Sequence, residues 1–184
     1  MKHKKLKNSE LVRIDEQDYK SASKTPITVV LDDIRSLNNV GSVFRTCDAF
    51  RIEQVFLCGI TAKPPHKDIQ KTALGATKSV PWTHFENSLD ALKQLKESGY
   101  TICAIEQTQN AIMLDAFDVS PAMPKLAVIF GNEVKGVSQQ AIDASDYVLE
   151  IPQFGTKHSL NISVSTGVVL WDLFTKLRPN LQNS

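Results

Sequence analysis

Apolar and polar residues alternate in blocks along the chain from about residue 25 onward. Six runs rich in β-branched, aromatic and other apolar residues predict strands. They cover residues 27–31, 54–58, 79–85, 101–106, 125–130 and 147–151. The segments between and after them predict helices over residues 40–50, 66–75, 88–99, 138–144 and 159–177. Since continuously apolar strands separated by helices are buried on both faces, we expect an α/β fold with a parallel sheet and helices on both faces.

Polar residues mark the starts of two of these helices. Asn38 or Asn39 can cap the helix over 40–50, because an asparagine side chain accepts hydrogen bonds from the free N–H groups of a first turn. Ser159 can cap the terminal helix in the same way. Asn161 is less readily explained, since asparagine inside a first helical turn is neither a good helix former nor a usual core residue.

The length of 184 residues is that of one compact domain. Residues 1–24 are polar, and we expect a basic N-terminal arm or short helix there, followed by the domain over residues 25–184. The net charge of +1 gives no general preference for an anionic partner. A second basic zone follows in the sequence, and it either faces water or contacts phosphates. Its lysines are Lys63, Lys67, Lys71 and Lys78.

Several protein classes are disfavoured by what the sequence lacks. The three cysteines share no CxxC spacing and lie in apolar patterns, which is typical of reduced, buried thiols. The first ten residues have no apolar centre, so we expect no secretory signal, and no run is apolar enough to cross a membrane. The four histidines are scattered, so we expect no metal site. These features indicate a soluble protein of the cytoplasm.

Three loops carry more polar groups than a simple connection requires. They are residues 32–39, 131–137 and 152–159, and each directly follows a predicted strand. In open α/β sheets, ligands bind outside the carboxyl ends of the strands. These loops are therefore where the sequence predicts a functional site.

Individual residues in or near these loops admit two interpretations. Arg45 lies off the apolar face of its helix. It is either a surface charge or a group whose guanidinium donates hydrogen bonds to a phosphate or carboxylate. Glu133 follows a buried strand, where it either faces water or lines a ligand site. Gly131, just before it, permits a tight turn or a close approach of a ligand to the backbone.

Familiar catalytic and nucleotide-binding motifs are missing. The segment GNEVKG lacks the spacing of a phosphate-binding loop, and LDDIRSLNN replaces the GxGxxG of a dinucleotide-binding fold. There is no GxSxG nucleophile elbow, and the adjacent His158 and Ser159 point apart. Acyl transfer and dinucleotide-dependent chemistry are thus disfavoured.

Taken in order, NNVGSVFRT, FGNEVKGVS and IPQFGTKHSLNISVSTG resemble the motifs of the SpoU (TrmH-like) family of the SPOUT class. The resemblance covers about residues 27–177. It implies an S-adenosylmethionine-dependent RNA ribose 2′-O-methyltransferase whose C-terminal segment forms a trefoil knot. It also implies a homodimer with active sites assembled from both chains, acting on tRNA or rRNA.

The same resemblance assigns roles to residues at the motif positions. Asn39, Arg45, Glu133, Ser159 and Asn161 correspond to the polar and catalytic positions. Main-chain groups near Gly131, Ile151 and Leu160 correspond to the cofactor contacts. The chain departs from the family pattern at Cys47, where alanine is usual, and at Arg51, where glycine is expected after the helix.

The implied role of Arg45 as the base raises an energetic difficulty. Arginine holds its proton far above neutral pH, so removing that proton near pH 7 costs about 8 kcal/mol. Either Arg45 is deprotonated transiently beside a second cation, or it stays charged and orients the hydroxyl and phosphate. A knotted RNA-binding protein without catalysis is the alternative function, and the sequence does not name the target nucleotide.

Overall fold

We describe residues 3–11 and 13–181 of a computed structural model of the chain. Parts of the predicted basic arm (residues 1, 2 and 12) and the last three residues of the chain lie outside this description. The helices are α1 (Glu16–Ser21), α2 (Leu37–Ala49), α3 (Lys67–Ala73), α4 (Ala76–Ser79), α5 (Ser88–Glu97), α6 (Gln139–Asp143) and α7 (Ile162–Leu181). The strands are β1 (Thr25–Asp32), β2 (Ile52–Cys58), β3 (Trp82–Phe85), β4 (Thr101–Ile105), β5 (Ile112–Met113), β6 (Leu126–Phe130) and β7 (Tyr147–Glu150).

The strands form one seven-stranded sheet in the order β3-β2-β1-β6-β4-β7-β5. Every neighbouring pair is parallel. The predicted α/β fold with a parallel sheet is therefore confirmed, and all six predicted strands are present. The short β5 and α4 were not predicted.

The central strands explain how the sheet holds helices on both faces. Val29 and Leu31 of β1 belong to one buried cluster, which includes residues of α2 and α7. Val30, between them, belongs to a second cluster, which includes residues of α5. Successive side chains of a strand point to opposite faces, so the apolar run of β1 supplies both clusters. Each fully buried valine or leucine contributes about 1.5–3 kcal/mol.

Two of the predicted helix caps are wrong. Ser36, rather than Asn38 or Asn39, caps α2, and its hydroxyl accepts from the Asn39 amide at 3.3 Å. The terminal helix begins at Ile162, so Ser159 lies in the preceding loop. Asn161 starts this helix instead: its side-chain oxygen accepts from the Ser163 amide at 2.9 Å. Asparagine caps a helix at least as well as serine, which accounts for the shifted start.

Arg51, which replaces the expected glycine, has a backbone φ of +48° directly after α2. Left-handed backbone is favoured by glycine, because a Cβ atom crowds the following carbonyl oxygen. The arginine therefore keeps the local conformation that the family pattern suggests, at a cost in backbone strain. Cys47, the other departure, is fully buried in the core.

The N-terminal segment is not entirely detached from the domain. Tyr19 of α1 is only 4% exposed and belongs to the larger buried cluster. The Lys24 side chain donates to the Tyr19 carbonyl oxygen. Helix α1 is thus anchored by one aromatic side chain, while residues 3–7, 9–11 and 13–15 before it are exposed.

The three cysteines are buried and free, as the sequence indicated. Burial raises the pKa of Cys58 and of Cys103 to about 12, so both thiols are protonated at neutral pH. Among the described residues, no helix is both long and apolar enough to cross a membrane. The same residues contain no cluster of three or more His, Cys, Asp or Glu side chains arranged to hold a metal ion.

Candidate functional site

The polar loops converge because their strands are neighbours in the sheet. Strands β1, β6, β4 and β7 are adjacent in that order, and all are parallel. Their carboxyl ends therefore open at one edge, where ligands bind in α/β folds. All three predicted loops follow strands of this set.

Glu133 joins the loop after β6 to the start of α2. Its carboxylate accepts from the backbone amides of Arg35 and Ser36, each at 3.0 Å, and from the Asn39 side-chain amide at 3.2 Å. Burial by itself raises the pKa of Glu133, but hydrogen bonds from backbone amides and from Asn39 outweigh it, so the pKa is lowered. Glu133 is therefore a carboxylate at neutral pH and a weak base.

Asn161, from the third motif, is connected to Glu133 through Asn39. Its side-chain amide donates to the Asn39 side-chain oxygen at 3.3 Å. Asn39 in turn donates to Glu133, so the three side chains form a continuous hydrogen-bonded series. Residues predicted from three separate motifs are thus brought together.

Asn132 fixes the loop that carries Glu133. Its side-chain amide donates to the Asp33 carbonyl oxygen at 2.7 Å. Its side-chain oxygen accepts from the amides of Val134 and Lys135, at 3.0 and 3.1 Å. The side-chain oxygen of Asn132 therefore shapes its own loop, and the side-chain nitrogen holds that loop to the backbone after β1.

A cavity of about 540 Å³ opens beside this series. Its wall is formed by residues 105–107, 130–137, 149–151 and 158–162, together with Gln153 and Ser165. All three predicted cofactor contacts, Gly131, Ile151 and Leu160, lie in this wall. Glu133, Ser159 and Asn161 also line the cavity, whereas Asn39 reaches it only through its contacts with two of them.

Gly131 is required by a close approach of two backbone segments. A Cβ atom at this position would lie 2.1 Å from the carbonyl carbon of Gly136 and 2.2 Å from the Val137 amide nitrogen. No real Cβ atom makes such contacts, so any side chain would open the 131–137 turn. The predicted interpretation of Gly131 as a residue of a tight turn agrees with this geometry.

Arg45 is the one predicted catalytic residue that lies apart. It is exposed on α2 and lines a separate depression of about 380 Å³ with Asp48, Gly75 and Lys78. It follows Asn39 by six residues, which is about 9 Å along a helix axis. Within one chain, the structure therefore does not bring Arg45 into the cavity.

Glu106 and Gln107 also line the cavity, and the sequence analysis did not select them. The signal was available, because Glu106 ends a predicted strand and Gln107 follows it. Their importance depends on the position of β4 between β6 and β7, which the order of elements along the chain does not reveal.

Residues 26–171 match the model of the SpoU rRNA methylase family. The chain belongs to this family. The resemblance drawn from the three motifs is therefore confirmed, and the match spans every residue predicted for the site.

Relatives of this SpoU family member include named RNA methyltransferases. It is 30% identical over 152 residues, 83% of the chain, to the tRNA (guanosine(18)-2′-O)-methyltransferase of Borreliella burgdorferi. It is also 30% identical over 84% of its length to the 23S rRNA (guanosine-2′-O-)-methyltransferase RlmB of Neisseria meningitidis. The chain spans 67% and 60% of the length of these two curated relatives.

Solved structures of the family share the fold. The TrmH/SpoU tRNA modifying enzyme of A. aeolicus superposes with a TM-score of 0.78 at 24% identity, covering 90% of this chain and 81% of that one. The AdoMet-bound rRNA methyltransferase of Sinorhizobium meliloti superposes with a TM-score of 0.77 at 23% identity, covering 86% and 60%. At these identities, the similarity establishes the architecture of the SpoU family member.

Proposed function

We propose that this SpoU family member transfers a methyl group from S-adenosylmethionine to a ribose 2′-hydroxyl of tRNA or rRNA. The observation that carries the proposal is the hydrogen-bonded series Asn161–Asn39–Glu133 along one side of the 540 Å³ cavity. Relatives named as ribose methyltransferases of both RNA classes support it.

The cavity suits S-adenosylmethionine in size and in the groups that it presents. Pockets for small ligands range over about 300–1,000 Å³. Gly131, Ile151 and Leu160 line the cavity and carry no polar side chain. Near them, backbone N–H and C=O groups are the ones that can bind the adenosine and methionine parts. The carboxylate of Glu150 also lines the cavity, and negative charge favours a cation.

When bound, S-adenosylmethionine supplies an electrophilic sulfonium methyl group. The protein's residues must then place the ribose hydroxyl in line with it, and such positioning accounts for a large part of the barrier reduction in many enzymes. Asn161 and Ser159 line the cavity where the ribose would lie, and Glu133 fixes Asn39, which fixes Asn161. Glu133 is not the base in this scheme, because its lowered pKa makes it a weak proton acceptor.

Arg45 reaches the cavity only if a second chain contributes it. We propose a homodimer in which Arg45 of one chain lies at the cavity of the other, as the family resemblance implies. There it either accepts the hydroxyl proton or, remaining charged, orients the hydroxyl and the neighbouring phosphate. The separation of Arg45 from the cavity within one chain supports the shared site.

An apolar face on α7 supports the dimer. Val164, Val168 and Trp171 are spaced four and three residues apart, so they share one face of the helix, and they are 51, 40 and 56% exposed. Trp171 packs beside Phe50 with the rings tilted by 47° and their centroids 5.9 Å apart. Such a contiguous apolar strip indicates a protein interface, and a second copy of this chain is the occupant that completes the site.

The proposal has four finer features, which the family resemblance or the sequence suggests. The C-terminal part of the chain forms a trefoil knot, with the 152–161 loop as part of it. Residues 25–184 form the methyltransferase domain, and the basic arm over 1–24 contacts RNA. Such an enzyme works in the cytoplasm, where tRNA and rRNA are accessible.

Exposed lysines next to the depression that holds Arg45 are suited to the RNA backbone. Lys78 lines that depression with Arg45. Lys67 and Lys71 lie one turn apart on α3 and are exposed, as is Lys63 before it. Lysine side chains neutralise phosphates and make binding sensitive to salt. A knotted RNA-binding protein without catalysis would use this surface too, but it would not need the Asn161–Asn39–Glu133 series.

The experiment that tests the function combines binding with methyl transfer. Isothermal titration calorimetry should show one S-adenosylmethionine site per chain. Transfer of a tritiated methyl group to bulk tRNA or bulk rRNA should follow, and nuclease digestion with mass spectrometry should locate it on a ribose. Binding of RNA without binding of S-adenosylmethionine would favour the non-catalytic alternative. Methylation of a base would contradict the proposed reaction.

A further inference from the structure

The carboxyl end of β4 lies between the two loops that form most of the cavity wall. Strand β4 pairs with β6 on one side and with β7 on the other. The loop over 131–137 follows β6, and the loop over 152–161 follows β7. Glu106 and Gln107, directly after β4, are therefore flanked by both loops.

Glu106 holds the first of these loops. One carboxylate oxygen accepts from the Val137 backbone amide at 2.9 Å, and the other accepts from the Gln107 amide, also at 2.9 Å. A Cβ atom at Gly136 would lie 2.1 Å from the Glu106 oxygen that accepts from Val137. The turn thus has a glycine, at a φ of +69°, where the carboxylate approaches the backbone.

Gln107 holds the second loop. Its side-chain amide donates to the His158 carbonyl oxygen at 2.9 Å. His158 immediately precedes Ser159, and both line the cavity. A pair of consecutive residues therefore connects the backbone at Val137 with the backbone at His158.

We propose that Glu106 and Gln107 are positioning residues that set the separation of the two loops and thereby the affinity for the cofactor. This inference rests on the proposed function for the identity of the ligand. The backbone groups near Gly131 and Ile151 belong to different loops, so they reach one ligand only when the loops are held at the right distance. Gln107 is exposed, so its contact shapes the cavity wall without belonging to the core.

The first test uses Gln107→Ala, with Gln109→Ala as the matched control, since Gln109 is exposed in the same segment. Calorimetry should show the Kd for S-adenosylmethionine rising about two- to tenfold in Gln107→Ala, as expected for the loss of one hydrogen bond. The Kd of Gln109→Ala should match that of the unmodified protein. At saturating cofactor, the kcat of Gln107→Ala for methyl transfer to bulk tRNA or rRNA should stay within about twofold of that of the unmodified protein.

The second test uses Glu106→Gln, with Glu97→Gln on the exposed surface of α5 as its control. A carboxylate accepts from both amides, whereas the replacing amide group has one accepting oxygen and turns its NH₂ towards the second N–H. The Kd should rise by about tenfold. It should rise equally for S-adenosylmethionine and S-adenosylhomocysteine, because a geometric role is indifferent to the sulfonium charge.

The outcomes separate this inference from the proposed function. An unchanged Kd in both folded variants, or a fall in kcat with an unchanged Kd, overturns the positioning role. Weaker binding of S-adenosylmethionine alone shows a direct charge contact of Glu106 and also overturns it. If the unmodified protein binds S-adenosylmethionine but methylates no RNA, the proposed reaction fails while the positioning role stands. If it binds no S-adenosylmethionine, both fail.

Discussion

The side-chain amide of Asn161 donates to the side-chain oxygen of Asn39 at 3.3 Å, although the two residues are 122 positions apart. The Asn161 oxygen accepts at the same time from the backbone amide and the hydroxyl of Ser163. One residue therefore starts α7 and also joins that helix to the first turn of α2. These two roles use different atoms and can be separated by substitution.

Asn161→Asp should keep the helix cap and lose the contact with Asn39, because aspartate accepts hydrogen bonds but cannot donate one. We expect unfolding stability close to that of the unmodified protein and methyl transfer reduced by about tenfold or more, the value of one lost hydrogen bond. Asn161→Ala should lose both roles and about 1 kcal/mol of stability. Urea denaturation and the methyl-transfer rate measure the two effects. Full activity in Asn161→Asp would contradict the role of the Asn39 contact.

Glu133 should make stability depend on acid pH. Its folded-state pKa is lowered from the ordinary 4.5, so its contribution is fully present above that value and is lost as the pH falls through the lower folded pKa. The difference in unfolding free energy between the unmodified protein and Glu133→Gln should shrink when urea titrations are moved from neutral pH to about pH 3. The exposed Glu97→Gln should show no such trend. A difference that grows towards acid pH would mean that the pKa is raised.

Arg45→Ala should fold and bind S-adenosylmethionine with an unchanged Kd, because the proposed role of Arg45 is directed at the ribose hydroxyl and phosphate and not at the cofactor. Methyl transfer should fall by at least about 100-fold, the usual loss for a proton-transfer or charge-stabilising group. Arg45→Lys separates the two roles of the arginine. Substantial activity in the lysine variant, with a pH–rate profile that follows the lysine pKa, would favour the role in which residue 45 accepts the hydroxyl proton.

Mixing two inactive variants tests whether the site is shared. Arg45→Ala and Asn161→Ala chains, allowed to exchange subunits, should recover about a quarter of the unmodified activity. Half of the dimers are then mixed, and each mixed dimer has one of its two sites intact. If Arg45 served its own chain, no activity would return.

Trp171→Glu should give a monomer, because a charge would be buried against the apolar face of the second copy. Size-exclusion chromatography with light scattering measures the mass, and calorimetry should still detect S-adenosylmethionine binding, since the cavity belongs to one chain. Leu89→Glu is the control, because Leu89 is 38% exposed on α5, which packs on the other face of the sheet. A dimeric and active Trp171→Glu would place the interface elsewhere.

Arg51→Gly should raise the stability. The left-handed φ of +48° costs an ordinary residue about 1–2 kcal/mol, part of which is offset because glycine is more flexible in the unfolded chain. We expect a net gain of about 0.5–1 kcal/mol in urea denaturation. Arg51→Ala keeps the Cβ atom and should show no such gain, which isolates the backbone effect from loss of the charge.

The sequence predicted the layers of the fold well because its strands are buried and its helices are amphipathic. Every predicted strand and helix is present. The two unpredicted elements, β5 and α4, have two and four residues, too few for any periodic pattern. The caps were misassigned because serine and asparagine compete at neighbouring positions, and local preference alone does not decide between Ser36 and Asn39.

The motifs predicted which residues belong to the candidate site, but they did not predict how those residues are arranged in space. The meeting of Asn39 with Asn161 requires α7 to return beside α2, and the chain order does not give that arrangement. Glu106 and Gln107 were missed for the same reason, since β4 is inserted between β6 and β7. The resemblance assigned Arg45 and Asn39 to one site built from both chains, and the rise of α2 does carry Arg45 to a different surface of its own chain.

The distance between Arg45 and the cavity of its own chain has a consequence for how the protein behaves at low concentration. On the proposed assembly, a diluted sample contains intact chains that load the methyl donor and modify nothing. Specific activity would then rise steeply with protein concentration until subunits pair, even with both substrates saturating. Assays run well below the concentration at which subunits pair would report an inert protein.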